Sequence, residues 1–92
     1  MRIRAVLSAL QFKDLWSKLG GKVLELNLPE GSRLEDALRV LSENLGLDLM
    51  GMLEGKKVVL FYRNSAVSID KDREKDLKEG EELLFITPLI GG

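Results

Sequence analysis

The sequence predicts an α+β fold, in which a mixed sheet of four to five strands carries one main helix packed on one face. Two strand-like segments precede a long amphipathic helix, and shorter strand-like segments follow it. The length of 92 residues allows a single domain with a small core. Hydrophobic residues make up 45% and charged residues 32%, which is typical of a globular chain and not of a disordered one.

The first third of the chain contains two predicted strands and a short helix between them. Residues 2–10 alternate apolar and polar side chains, which predicts a strand with one covered face. The apolar spacing then becomes helical over residues 12–19, and Gly20-Gly21 ends that helix. Alternating leucines predict a second strand up to residue 28, which Pro29 ends.

The main helix has the clearest sequence signals. Ser32 and Glu35 have the spacing of a capping box, in which each side chain accepts a hydrogen bond from the other residue's N–H group. The apolar residues that follow fall on one face of a helix: Leu34, Ala37, Leu38, Leu41 and Leu45. Gly46 tolerates a positive φ and is expected to end the helix.

The second half of the chain has shorter elements. Residues 47–55 fit either a short helix or a buried loop. We expect strands at residues 57–63, 66–69 and 83–87. Residues 70–82 carry charges of both signs in alternation, and we expect them to form a solvated loop.

Composition excludes several classes of function. Fourteen basic and fifteen acidic residues give a net charge of −1, which does not point to nucleic acid or an anionic membrane. Cysteine and histidine are both absent, which excludes disulfides, thiol nucleophiles, zinc sites built on these residues and imidazole bases. We expect no metal site. The longest apolar run, residues 58–62, is far below the roughly 18 residues of a spanning helix, so we expect a cytoplasmic protein.

The most specific feature is the segment Pro88-Leu89-Ile90-Gly91-Gly92. Glycine has no side chain, so a diglycine can enter a narrow cleft and approach a partner closely. A C-terminal carboxylate is ionised at neutral pH and is a poor electrophile, so it must be activated before it reacts. An enzyme that forms an acyl-adenylate there would allow sulfide, a thiol or an amine to displace the nucleotide. We therefore divide the chain into a domain of residues 1–88 and a flexible tail of residues 89–92.

Strand pleating predicts a docking surface on the sheet. If residues 58, 60 and 62 face the main helix, the residues between them face away from it. Residues 84 and 86 of the last strand are expected to face the helix as well. One uncovered apolar face would then bind a partner through Val59, Phe61, Leu83 and Phe85. The alternative is that a short helix at 12–19 or 47–54 covers this face.

Several local motifs occur together in a specific order. They are Ser8-Ala9, the segment 12–20, the Ser32-capped helix, Asn64, the segment 77–83 and the final diglycine. In this order the whole chain resembles the MoaD/ThiS family of ubiquitin-like sulfur carriers. The chain has Thr87-Pro88 where the family often has two prolines, and Gly80-Glu81-Glu82 where Gly-Asp-Glu is typical. The segment 12–20 favours the molybdopterin-type carrier over the shorter thiamin-type carriers.

The resemblance implies a ubiquitin-like β-grasp fold and a chain that is not an enzyme on its own. An adenylyltransferase related to ubiquitin-activating enzymes would use ATP to adenylate Gly92, and a sulfur donor protein would convert it to a thiocarboxylate. The large subunit of molybdopterin synthase would receive the tail, Pro88 to Gly91, and use the sulfur for the dithiolene of the molybdenum or tungsten cofactor. No cofactor is expected to be bound permanently.

Three alternatives stay open at this point. In the first, the chain is a protein modifier that is conjugated through Gly92 to lysines. In the second, it is a sulfur carrier for thiamin or tRNA thiolation. In the third, it is an interaction module with a passive tail. Only the last of these predicts that loss of Gly92 leaves function intact.

Overall fold

The computed structural model describes residues 1–89 and contains five strands in one mixed sheet. The strands are β1 (Arg2–Leu7), β2 (Val23–Asn27), β3 (Val59–Tyr62), β4 (Ser65–Ala66) and β5 (Glu82–Ile86). Their order in the sheet is β2-β1-β5-β3-β4. The central pair, β1 and β5, is parallel, and the other neighbours are antiparallel. The predicted α+β class with a mixed sheet is confirmed.

Within the described part of the chain, four helices and one 3-10 turn connect the strands. The helices are α1 (Lys13–Leu19), α2 (Leu34–Leu45), α3 (Leu49–Glu54) and α4 (Ile69–Asp72), and the 3-10 turn spans Leu10–Phe12. The segment 47–55, for which the sequence allowed either a helix or a loop, therefore contains a helix. The expected solvated loop at 70–82 is wrong in part, because α4 extends into it and Leu77 within it is 5% exposed. The fourth strand, predicted at residues 66–69, is only two residues long in the structure and spans Ser65–Ala66.

The start of α2 differs from the predicted capping box by one residue. Arg33 precedes the helix, and its N–H donates to Asp36 Oδ2 at 2.9 Å. The hydroxyl of Ser32 instead donates to the carbonyl of Pro29 at 2.7 Å. The segment 73–75 supplies the remaining acceptors, because Arg73 and Lys75 carbonyls accept from the first N–H groups of the helix at 2.9 Å each. The predicted end at Gly46, with φ of 68°, is confirmed.

The core lies between α2 and one face of the sheet. Its fully buried side chains include Ile3, Leu7, Phe12, Leu34, Leu38, Leu41, Leu60, Leu83 and Phe85. The rings of Phe12 and Phe85 meet edge to face with their centroids 5.9 Å apart. Among the helices of residues 1–89, none is long and apolar enough to cross a bilayer.

The prediction that Leu83 and Phe85 face away from the helix is wrong. Both have 0% exposure and lie in the core, whereas their neighbours Leu84 and Ile86 lie on the other face. The register explains this, because Phe61 pairs with Leu84 and directly paired residues share a face. Since residues 83–86 are all apolar, alternation within β5 does not decide which pair faces the core.

Candidate functional site

The face of the sheet away from α2, here called the open face, has an apolar half. Cross-strand pairing sets Val6 beside Leu84 and Val59 beside Ile86, with Phe61 on the other side of Leu84. These side chains are partly exposed, and none of them is buried. The apolar patch is defined as Val6, Val59, Phe61, Leu84 and Ile86. It is an accessible apolar surface of the kind that often marks an interface.

The apolar patch contains only part of the predicted docking set. Val59 and Phe61 belong to it, and their role in partner binding stays a prediction. Leu84 and Ile86 take the places that the sequence assigned to Leu83 and Phe85. Val6 was missed, although an apolar residue on the polar side of β1 is a signal that the sequence carries.

The tail begins at the edge of the apolar patch. Ile86 is both a patch residue and the last residue of β5. The next residue, Thr87, accepts a hydrogen bond at its Oγ1 from the Leu10 N–H at 2.8 Å, which joins the exit of the tail to the segment after β1. Pro88 is partly exposed and Leu89 is 99% exposed. The predicted tail residues Ile90, Gly91 and Gly92 lie outside the described residues.

A groove of about 580 Å³ lies on the other side of Pro88, between α3 and the segment 67–70. Its apolar lining includes Leu53, Val58, Leu60, Val67, Ile69 and Pro88. Val59 of β3 and Ala66 of the edge strand β4 also line it. Pro88 therefore lines an accessible apolar groove at the point where the tail leaves the domain.

The other half of the open face is charged. Arg4 of β1 pairs with Glu25 on β2 and with Glu82 on β5. Opposite charges on adjacent strands attract each other modestly across a sheet. The open face therefore has two chemically different halves, and the tail leaves from the apolar one.

At the N-terminal end of β5, Glu81 holds the β3–β4 turn in place. The turn residues Arg63 and Asn64 both have positive φ, 53° and 64°, which is the geometry of a tight two-residue hairpin. Glu81 Oε2 accepts from Arg63 Nε at 2.8 Å, and Glu81 Oε1 accepts from the Tyr62 hydroxyl at 2.7 Å. The backbone N–H of Lys78 also donates to Oε1 at 2.7 Å.

These contacts change the pKa of the Glu81 carboxyl and of the Tyr62 phenol. Burial opposes the charged form of Glu81, but the hydrogen bonds from Arg63, Tyr62 and the Lys78 N–H lower its pKa to about 2. Burial and the neighbouring Glu81 carboxylate raise the pKa of the Tyr62 phenol. Glu81 is therefore charged at neutral pH and stabilises the hairpin. Asn64 contributes its positive-φ backbone conformation to the turn of that hairpin.

Within residues 1–89, no group of three or more carboxylates could hold a metal ion. The apolar patch is suited to contact with another protein, and Leu89, three residues after the patch residue Ile86, is 99% exposed. The chemistry that this arrangement allows is presentation of a chain segment to a partner.

The comparisons with known proteins place the chain in a family and in a fold. No protein-family model matches it. Over 92 residues it is 37% identical to an uncharacterised protein of Archaeoglobus fulgidus, and the alignment covers all of both chains. This chain belongs to the family of that archaeal protein.

Solved structures with low sequence identity share the fold. Haloferax volcanii small archaeal modifier protein 1 is 16% identical with a TM-score of 0.61, over 96% of this chain and 98% of that one. A Pyrococcus furiosus protein described as a molybdopterin converting factor, subunit 1, is 19% identical with a TM-score of 0.64, over 97% and 99%. The Haloferax volcanii protein HVO 2177 is 21% identical with a TM-score of 0.68, over 100% and 87%. The fold is the ubiquitin-like β-grasp of the MoaD/ThiS type.

Proposed function

We propose that this β-grasp protein is a sulfur carrier that acts as the small subunit of molybdopterin synthase. In this proposal Gly92 provides the reactive carboxyl group, and the large subunit takes the thiocarboxylate to form the dithiolene of the molybdenum or tungsten cofactor. The observation that carries the proposal is the position of the tail: β5 ends in the apolar patch, and Leu89 beyond it is 99% exposed. The diglycine follows Leu89 by two residues in the sequence.

The geometry supports simultaneous docking and presentation. A partner that covers Leu84 and Ile86 stands directly beside the exit of the tail. The Thr87–Leu10 hydrogen bond ties the start of the tail to the segment after β1, and the four residues 89–92 would reach about 13 Å if fully extended, at ~3.3 Å per residue. A partner bound to the apolar patch can therefore have its active site about that far from Pro88.

The proposed chemistry has two balanced steps at Gly92. The carboxylate attacks the α-phosphate of ATP, which forms an acyl-adenylate and releases pyrophosphate. Sulfide delivered by a sulfur donor protein then attacks the acyl carbon, and AMP leaves with the electron pair of the acyl–oxygen bond. The carboxylate has exchanged one oxygen for sulfur, and the activating enzyme and the donor supply all catalytic groups.

The second candidate function is that of a protein modifier, in which a lysine amine displaces the activated carboxyl to form an isopeptide. The similarity in fold to small archaeal modifier protein 1 favours it. The same activated terminus also suits a sulfur carrier for thiamin or tRNA thiolation. These functions share the activation step and differ in the acceptor.

Intact-mass spectrometry tests the proposal. The protein with a free Gly92 carboxyl is incubated with its adenylating enzyme, ATP and sulfide, and we expect one oxygen-for-sulfur exchange. A variant that lacks Gly92 is the control and should stay unmodified. Persistent absence of the exchange, with an adenylating enzyme that is active on another β-grasp carrier, contradicts the sulfur-carrier function.

A second measurement separates the acceptors. The thiocarboxylate form is mixed with the large subunit and the sulfur-free pterin precursor, and consumption of the thiocarboxylate with dithiolene formation supports the molybdopterin function. Diglycine remnants on cellular lysines that disappear when the gene is deleted would support the modifier function instead.

A further inference from the structure

β2 lies at one edge of the sheet, and the backbone groups of every second residue point away from the molecule. The Met1 ammonium donates to the Leu28 carbonyl at 2.6 Å, and the Leu28 N–H donates to the Met1 carbonyl at 2.8 Å. At the other end, the Leu7 N–H donates to the Lys22 carbonyl at 2.7 Å. In an antiparallel ladder, alternate residues bond to the same neighbour. The N–H and C=O groups that point outward therefore belong to Val23, Glu25 and Asn27.

This edge is long and accessible. Val23, Glu25 and Asn27 are all exposed, and no hydrogen bond found within residues 1–89 uses their backbone groups. The opposite edge is β4, which has only two residues, and short edge strands protect a sheet against further pairing. β2 has five residues in unbroken register with β1 and no proline. The two edges therefore differ, and β2 is the one that can accept a further strand.

The charges beside this edge indicate which kind of strand fits. On the open face, Arg4 stands between Glu25 and Glu82, so this row across the sheet has two acidic groups and one basic group. A strand added beyond β2 would extend the row next to Glu25, where a lysine or arginine gives an opposite-charge pair. Antiparallel pairing of two copies along the whole of β2 sets Glu25 opposite Glu25, which is unfavourable.

We propose that the β2 edge binds an extended segment of another protein by strand addition, with a basic side chain of that segment beside Glu25. The backbone groups of Val23, Glu25 and Asn27 provide the affinity, and Glu25 provides the charge preference. This interaction goes beyond the carrier function, because it requires neither Gly92 nor the apolar patch. The protein would carry a second partner at β2 while its tail is engaged elsewhere.

A model peptide tests the edge directly. The probe is a capped seven-residue peptide of alternating threonine and valine with a central lysine, titrated into the ¹⁵N-labelled full chain. We expect amide shift changes centred on Val23, Glu25 and Asn27, together with slower hydrogen exchange at these amides. A matched peptide with a central glutamate should bind about two- to tenfold more weakly.

Two variants separate the backbone from the charge. Glu25→Ala keeps the outward N–H, so it should bind both peptides with equal affinity. Glu25→Pro removes that N–H, which the β1 ladder does not use, and should abolish binding. If Glu25→Pro does not fold, the lysine peptide with N-methyl groups on its edge-facing residues replaces it and should fail to bind the wild-type protein.

Three outcomes would overturn the proposal. The first is no shift change at millimolar peptide, and the second is a set of changes centred on Phe61 or Ile86 instead of β2. The third is a concentration-dependent change at Val23 to Asn27 without peptide, which would assign the edge to a second copy of the chain.

Discussion

The two faces of the sheet contain similar apolar residues in different surroundings. Leu83 and Phe85 are completely buried in the core, where Phe85 meets Phe12 edge to face, whereas Leu84 and Ile86 of the same strand keep part of their surface accessible. Burial against the helix stabilises the folded chain. The open face contributes less to folding and has apolar area left for a partner. Adjacent residues of β5 therefore differ in their surroundings: Leu83 and Phe85 stabilise the fold, and Leu84 and Ile86 keep apolar area that a partner can cover.

The largest expected effect comes from the helix-covered face. Phe85→Ala removes a fully buried ring that contacts Phe12, so we expect a loss of about 3–5 kcal/mol in the free energy of unfolding. Urea denaturation followed by circular dichroism measures it. A loss below about 1 kcal/mol would contradict the assignment of Phe85 to the core.

Glu81→Gln should have the next largest effect. The lowered pKa of Glu81 means that its charged form stabilises the native state above its usual titration range, and this stability is lost as pH falls from about 5 to 2. We expect the variant to lose roughly 2 kcal/mol at pH 7 and most of this difference to disappear by pH 2. Urea denaturation at both pH values tests this, and an equal difference at both would exclude the charge as the cause.

A substitution on the open face should separate binding from stability. Ile86→Ser removes an apolar side chain from the patch, so we expect a stability loss of about 1 kcal/mol and a loss of binding to the partner that receives the tail. Val40→Ser is the matched control, because Val40 is a partly exposed apolar residue on α2. Calorimetry with the large subunit measures binding. Equal affinity of the two variants would show that this partner does not use the patch.

The smallest expected effect is at the exit of the tail. Thr87→Val removes the acceptor for the Leu10 N–H, which is exposed and can bond to water instead. We expect less than about 1 kcal/mol of lost stability, with faster backbone motion at Leu89 by ¹⁵N relaxation. Unchanged relaxation would mean that Pro88 alone sets the direction of the tail. Thr87→Ser, which keeps an acceptor oxygen, is the control.

The sequence predicted the elements that have periodic signals. The i, i+3, i+4 spacing of α2 and its end at Gly46 were predictable because helix amphipathicity and the positive-φ end are local properties. The alternation in β1 was predictable for the same reason. The final diglycine was visible as a candidate site because it is a local sequence motif that can be found without any tertiary contact.

The remaining features depend on contacts between distant parts of the chain. Pairing with β1 and β3 determines which side chains of β5 face the core, because the apolar run of β5 does not alternate with polar residues. The start of α2 is shifted because the distant segment 73–75 satisfies its N–H groups. α4 has only four residues, and so short a helix has little periodic signal. Local sequence patterns do not contain this information.

The central position of β5 has a consequence for the order of folding. The first and last strands form the parallel pair in the middle of the sheet, and β3 reaches β1 only through β5. Without β5 the sheet divides into the antiparallel β1–β2 pair and the β3–β4 hairpin, so pairing between strands that are distant in sequence must precede a complete core. A chain still being synthesised cannot close this sheet until the strand directly before the tail has emerged. The native fold can therefore form only after synthesis has reached the segment next to the diglycine.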